Sequence, residues 1–329
     1  MADSHDEVAR LIHETLEQLE WPHDPAAIAE RVKRLDQGLP SEDEFIVLCS
    51  WLGRCRLIHK LDQTQMPAAS NTTYQVPDLL ATFTVHERLV TALIEVKSAK
   101  SNVLSFRPDY LERLEAYADL IGVPLLIAWK WRGIWSLFET KHLTKMDKNF
   151  NINWKKAIQE SLLGLLAGDF SYTVYAGVGL HIHCRKQRKV STEKTEEGTT
   201  ELWDLVIDEA YFTSKDGQRV KDFPPGIQSV LFAADLQDRQ EFTDTHIIQH
   251  FETHEQSGLF AHMALVRLLA FRAKDDTVRW RARISDERQI RTIEGFREGV
   301  TAALEQDVVR YVFDVRPQTM PAFLKDLEV

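Results

Sequence analysis

An α/β fold with a mixed sheet flanked by helices is predicted by three observations in the middle of the chain. Two apolar runs, Val76 to Val85 and Leu89 to Val96, are spaced like strands on either side of His86-Glu87. Pro108 then opens a segment whose Leu111, Leu114, Ala118 and Ile121 share one helical face, with Gly122 placed to cap it. Past Pro124, Leu125-Leu126-Ile127-Ala128-Trp129 is continuously apolar, as in a buried central strand, and Gly133 to Phe138 reads as its hairpin partner. The order is strand, strand, helix, strand, strand.

The flanking elements follow in turn. Ser4 to Leu19 and Pro25 to Leu35 have helical spacing, broken at Trp21-Pro22 and Gly38-Leu39-Pro40, and make an N-terminal helical piece over residues 1–40. Ser41 is an N-cap candidate before Glu42-Asp43-Glu44, acids that suit the positive end of a helix running from Phe45 to His59. Ser98 to Arg107 is polar. A helix over Trp154 to Leu166 and a strand over Tyr172 to Cys184 are expected next. Arg185 to Thr200 is charged and without period, which predicts a linker over residues 185–200. Beyond it, Leu202 to Phe212 and Ser229 to Ala234 read as strands, and Leu259 to Phe271 and Ile290 to Val308 as helices. Thr277 to Ile284 alternates so that Arg279, Arg281 and Arg283 share a face. Residues 201–329 are thus expected to form an α+β domain serving specificity or dimerisation.

The first hairpin concentrates chemistry. Pairing symmetric about His86-Glu87 sets Asp78 directly opposite Glu95, and alternation puts Lys97 on the face of Glu95 while Val96 points into the core. Two carboxylates are hard oxygen ligands suited to Mg²⁺, which completes its shell with water and phosphate oxygens. A lysine beside them can orient the attacking water or offset charge building on a phosphate. His86-Glu87 is poor two-residue turn chemistry, so a wider loop or another register is the competing arrangement.

From Tyr74 to Glu139 the sequence resembles the PD-(D/E)XK nuclease superfamily, especially archaeal-type Holliday junction resolvases and restriction-endonuclease-like domains. The resemblance rests on Pro77-Asp78, Ile94-Glu95-Val96-Lys97-Ser98, the Leu114 to Tyr117 helix and Leu125 to Trp135. It implies a restriction-endonuclease-like mixed sheet over residues 41–184. It also implies Mg²⁺, with Mn²⁺ able to substitute, held by Asp78, Glu95 and the Val96 carbonyl, with Lys97 serving catalysis. A further acid from the preceding helix is implied, for which Glu44 is chosen among Glu42, Asp43 and Glu44. The N-terminal arginine-glycine-glutamate arrangement of junction resolvases is not evident before Glu44, so the resemblance speaks to the chemistry and not to junction specificity.

The charge is unevenly distributed. Formal net charge is −10, yet residues 97–190 hold 15 Lys and Arg against 8 Asp and Glu, so the basic block follows the predicted site. Lys100, Arg107, Lys130 and Arg132, interleaved with Trp131, Trp135 and Trp154, are candidates for a phosphate-backbone groove. Cys49, Cys55 and Cys184 form no metal-ligand spacing, and Cys49 and Cys55 read as thiols on a helix face. No apolar run reaches membrane-spanning length and Met1-Ala2-Asp3 opens no secretory signal, so a cytoplasmic chain without a membrane partner is expected. His246, His250 and His254 recur at a helix-face spacing, and His181 and His183 share a strand face. The expectation is a Mg²⁺-dependent DNA endonuclease of a restriction, defence or recombination system, acting as a homodimer. An RNA nuclease and a noncatalytic nucleic-acid-binding protein are the rivals.

Overall fold

The structure is a computed structural model and describes residues 41–195, 198–253, 258–270 and 295–327. The predicted N-terminal helical piece, His254 and the arginine-bearing run Thr277 to Ile284 lie outside them. The architecture is mixed α/β, with sheets flanked by helices and a C-terminal α+β region.

Helix α1 spans 41–51. It is followed by β1 (Cys55–Lys60), β2 (Leu79–Val85), β3 (Arg88–Ser98), β4 (Val103–Phe106), α2 (Pro108–Ile121), β5 (Leu125–Trp131) and β6 (Ile134–Glu139). The main sheet has the order β1-β2-β3-β5-β6. All its neighbours are antiparallel except β3 and β5, whose parallel pairing takes the chain across the sheet through α2. Pro108 sits in the first turn of α2, and Gly122, at φ 77°, ends it by donating its N–H to the Ala118 carbonyl. Leu114 and Ala118 pack on Leu93 of β3 and Leu125 of β5, while Ile121, in the last turn, is 49% exposed.

The β2–β3 register is the symmetric one, from Val85 opposite Arg88 to Leu79 opposite Ile94. His86 and Glu87 both have positive φ, 45° and 66°, the twist a two-residue hairpin turn requires. The sequence conceals this turn because neither residue is a turn former.

The opposite face of the sheet carries the larger core. Ala81, Phe83, Ile94, Val96 and Leu137 meet Phe45 and Leu48 of α1 there. The same cluster runs on into Phe223, Ile227, Val300 and Val309, from beyond the predicted linker. Next come β7 (Thr144–Met146), β8 (Asn149–Asn153), α3 (Trp154–Gln159), α4 (Leu163–Ala167) and β9 (Ser171–Val174). The C-terminal region contains β10 (Gly179–Thr195), β11 (Gly198–Thr213), β12 (Arg219–Val220), α5 (Pro225–Ala233), β13 (Gln237–Phe242), β14 (His246–Glu252), β15 (Gly258–Phe260), α6 (Ala261–Ala270), α7 (Phe296–Glu305) and β16 (Val309–Phe313). Helices α5 and α7 meet backbone to backbone: a Cβ on Gly299 would lie 2.9 Å from the Gly226 carbonyl oxygen.

Several local readings are corrected. The helix expected to reach His59 ends at residue 51; the chain turns at Gly53, φ 98°, and Cys55 lies in the edge strand β1. The polar stretch after Ser98 contains β4, whose partner β8 is remote in sequence. The helix over Trp154 to Leu166 is two, because Ser161 accepts the Leu137 N–H and Glu160 accepts that of Thr319, side-chain bonds that anchor the break. Gly177, at φ 76°, divides the strand expected over Tyr172 to Cys184 into β9 and β10. Of the predicted linker, residues 185–195 and 198–200 belong to the long β10–β11 ribbon, exposed on both sides and so lacking the alternation that burial of one face produces. Ser229 to Ala233, expected as a strand with Ala234, belongs to α5, started by Pro225. The helix expected over Ile290 to Val308 is described from Phe296 and ends at Glu305, before β16 begins at Val309. Among the described residues no helix is long and apolar enough to cross a membrane.

Replacing His86-Glu87 by Asn-Gly should stabilise the fold by roughly 0.5–1 kcal/mol, because both new residues accept positive φ readily. Urea unfolding at pH 7 reads this, and a lower midpoint in the variant would contradict the turn.

Candidate functional site

Three of the predicted site residues are brought together at one end of the main sheet. Glu95 and Lys97 are successive same-face residues of β3, on the side covered by α2. Asp78 immediately precedes β2, and its Oδ2 accepts the Val96 N–H at 2.7 Å. In an extended strand a residue's N–H and C=O face one edge, so the Val96 carbonyl is directed to the edge that Asp78 occupies.

Glu95 is 1% exposed. Its Oε1 accepts the Tyr110 hydroxyl at 2.6 Å and also contacts the Lys97 ammonium. Its Oε2 is buried and has no hydrogen-bond partner among the described residues. Tyr110 lies in the first turn of α2, and its ring is 5.5 Å from the Lys97 Nζ. Reading the helix by its aliphatic positions alone missed Tyr110. The available signal was a phenol two residues past Pro108, where the helix begins.

Burial, followed by the charge of Glu95, pushes the Asp78 carboxyl up to about 6; Lys97, the Val96 N–H and Lys60 pull the other way. Burial and Glu95 raise the Tyr110 phenol well above its ordinary range, so it remains a donor. Two crowded carboxylates and one bare buried oxygen fit a small hard cation that completes its shell with water and phosphate. Among the described residues no group of three or more His, Cys, Asp or Glu is arranged to hold a metal, so protein carboxylates at this position would supply only part of a coordination shell.

Glu44, the acid expected from the preceding helix, lies on the other face of the sheet from Glu95. Its two oxygens accept Lys130 Nζ at 2.5 Å and Trp135 Nε1 at 2.9 Å. Lys130 and Trp135 are register partners on the face opposite Glu95. Glu42 and Asp43 instead pair with Lys60 at 2.7 and 2.8 Å, and Lys60 is the cation that also acts on Asp78. Lys100, Lys130 and Arg132 line a common cavity, whereas Arg107 is exposed at the N-cap of α2 and lies 3.7 Å from Asp109.

The histidines form a different arrangement from the helix face expected. His250 lies on strand β14, and its Nδ1 is 2.7 Å from His181 Nδ1 on β10. Thr213 gives its hydroxyl proton to the Gly177 carbonyl, so it accepts from His181 Nε2 at 2.9 Å. His250 therefore donates to His181 when both rings are neutral, and burial and His250 hold His181 below its ordinary pKa.

One region around these residues is similar to known proteins. Residues 65–168 match the family model described as archaeal Holliday junction resolvase (Hjc). The match is with a PD-(D/E)XK-like resolvase family. The matched region contains Asp78, Glu95, Lys97 and Tyr110 and excludes Glu44. A solved structure of Archaeoglobus fulgidus Hjc, a Holliday junction resolvase from an archaeal hyperthermophile, is 24% identical over 36% of this chain and 89% of its own, with a TM-score of 0.30. No curated protein matches the chain.

Asp78 titrates higher in the fold than its ordinary value of 3.8, so its contribution to stability falls as pH rises from about 4 to about 6 and stays lost above. In metal-free buffer, Asp78→Asn should gain on the order of 2–3 kcal/mol relative to wild type between pH 4 and pH 7. Urea unfolding of both proteins across that range measures the difference, and a flat difference would contradict the raised Asp78 carboxyl.

Proposed function

We propose that the chain is a metal-dependent nuclease that hydrolyses phosphodiester bonds, with Mg²⁺ as its cofactor and Mn²⁺ able to substitute. The observation that carries this reading is the bare, buried Glu95 Oε2 beside Asp78 and Lys97, inside the region that matches a resolvase family. Asp78, Glu95 and the Val96 carbonyl would hold the cation. When bound, it would supply Lewis acidity at the scissile phosphate.

The protein's own groups divide the remaining work. Tyr110 and Lys97 occupy Glu95 Oε1, which leaves Oε2 free to ligate. The Val96 N–H fixes Asp78 Oδ2 and leaves the other oxygen to the site. Lys97, about one-third exposed, can donate a hydrogen bond to the attacking water or to the charge developing on phosphate. Lys100, Arg107, Lys130 and Arg132 are assigned to the nucleic acid, with Lys130 oriented by Glu44.

DNA is the favoured substrate, in restriction, defence or recombination in the cytoplasm. Cutting both strands of a duplex is simplest with two sites, so a homodimer is the working assembly.

The test incubates the full chain with duplex, single-stranded and branched DNA and with RNA, in Mg²⁺, Mn²⁺ or EDTA. Cleavage should require metal and fall at least about 100-fold in Asp78→Ala and in Lys97→Ala. Tyr110→Phe should lose roughly tenfold or less, since Lys97 still holds Glu95. Cleavage of RNA alone would transfer the reading to an RNA nuclease. Binding without cleavage of any substrate, equal in wild type and variants, would make the protein a noncatalytic binder.

A further inference from the structure

Strands β3 and β5, the parallel pair, end side by side, with Ser98 opposite Lys130. Just past them, one residue beyond Lys97, lies a cavity of about 700 Å³ lined in part by Ser98, Lys100, Lys130, Trp131 and Arg132. That volume is in the range of pockets that take small organic ligands.

Its walls are layered. The Trp131 indole is pinned by its Nε1–H, which donates to the Lys100 carbonyl at 3.2 Å, and it packs at 5.4 Å on Trp154. The Arg132 guanidinium lies 4.9 Å from the Trp131 ring centre. Arg132 and Gly133 form the β5–β6 turn with φ of 49° and 80°, so an arginine occupies a backbone conformation that glycine or asparagine adopts more readily. Arg132 and Lys100 are exposed and make no ion pair among the described residues, whereas Lys130 is held by Glu44.

A phosphate backbone alone needs cations and no aromatic wall. A base inside a duplex already has both faces covered, so a Trp–Arg layer offers it nothing. A nucleotide with a free face gains by stacking on indole or guanidinium. We infer that this cavity receives an unpaired nucleotide of the substrate, its base against the Trp131–Arg132 layer and its phosphate against Lys100. The inference deepens the proposed function and rests on its assignment of nucleic acid as substrate. The substrate class becomes nucleic acid with an unpaired nucleotide next to the cleaved bond, such as a bulge, a flap or a branch point.

The experiment uses the full chain in EDTA and two duplexes differing only by one bulged 2-aminopurine. Wild type should bind the bulged duplex about tenfold more tightly and quench the 2-aminopurine fluorescence. Arg132→Asn, which suits the turn, and Trp131→Leu should each lose the preference and the quenching, with circular dichroism reporting that both fold. Glu305→Gln, exposed at the end of α7 and outside the cavity, should retain both. Equal wild-type affinity for the two duplexes, or preference retained in both cavity variants, would overturn the inference. If the wild type also cuts paired duplex with Mg²⁺ in that case, the nuclease reading stands and the cavity assignment alone falls. Preference and quenching in a protein that cuts nothing would uphold the cavity and remove the nuclease.

Discussion

Asp78 continues the β2–β3 ladder with its side chain in place of backbone. Strand β2 begins at Leu79, and the next N–H on that edge of β3, from Val96, is taken by Asp78 Oδ2 at 2.7 Å. A single residue of slip between the strands would turn Glu95 and Lys97 toward the α1 face and Val96 toward α2. The apolar residues of β3 oppose such a slip, because Val90, Ala92, Ile94 and Val96 would all leave the larger core. Register, the burial of one sheet face and the convergence of the charged groups are therefore one constraint.

That constraint brings together charges that repel. Burying a carboxylate costs several kcal/mol unless it is paired. Glu95 is paired on one oxygen only, by a phenol from α2 and an ammonium from its own strand. Helix α2 thus has two roles, covering Leu93 and Leu125 with Leu114 and Ala118 while delivering Tyr110 to the carboxylate. The unpaired Oε2 and the raised Asp78 carboxyl are the residue of this arrangement, and a bound cation would relieve both.

The main sheet was legible because its strands are buried in ways that leave a pattern. The continuous run in β5 and the apolar spacing of β2 and β3 follow from burial on both faces and from symmetric pairing. Asp78, Glu95 and Lys97 were legible for the same reason, since register placed them. Tyr110 and the engagement of Glu44 by Trp135 depend on contacts between segments 15 and 91 residues apart, which no local pattern encodes. Leu202 to Phe212 of β11 read correctly as a strand, but the adjoining part of the ribbon was illegible because it is solvated on both sides, and β14 because histidines at every fourth position suit a strand face as well as a helix face.

The two faces of the sheet also differ in how they hold their polar groups. On the α1 face, Asp169 accepts the His262 N–H at 3.0 Å and the His262 Nδ1–H at 2.7 Å, which leaves Nε2 as a neutral acceptor for the Trp135 N–H at 3.1 Å. Trp135 Nε1 then donates to Glu44, and Glu44 holds Lys130 at the cavity wall. Each oxygen and ring nitrogen in this buried chain has a partner, so it is set by packing and resists rearrangement. It runs from α6, in the C-terminal region, to a cation at the end of the parallel strands. The C-terminal region is in this way part of what positions Lys130, although Lys130 itself lies within the matched resolvase-like region. On the α2 face the polar set is incomplete, with one carboxylate oxygen bare. A fully satisfied network beneath the sheet and an unsatisfied one above it are what a rigid support and a ligand site would each require.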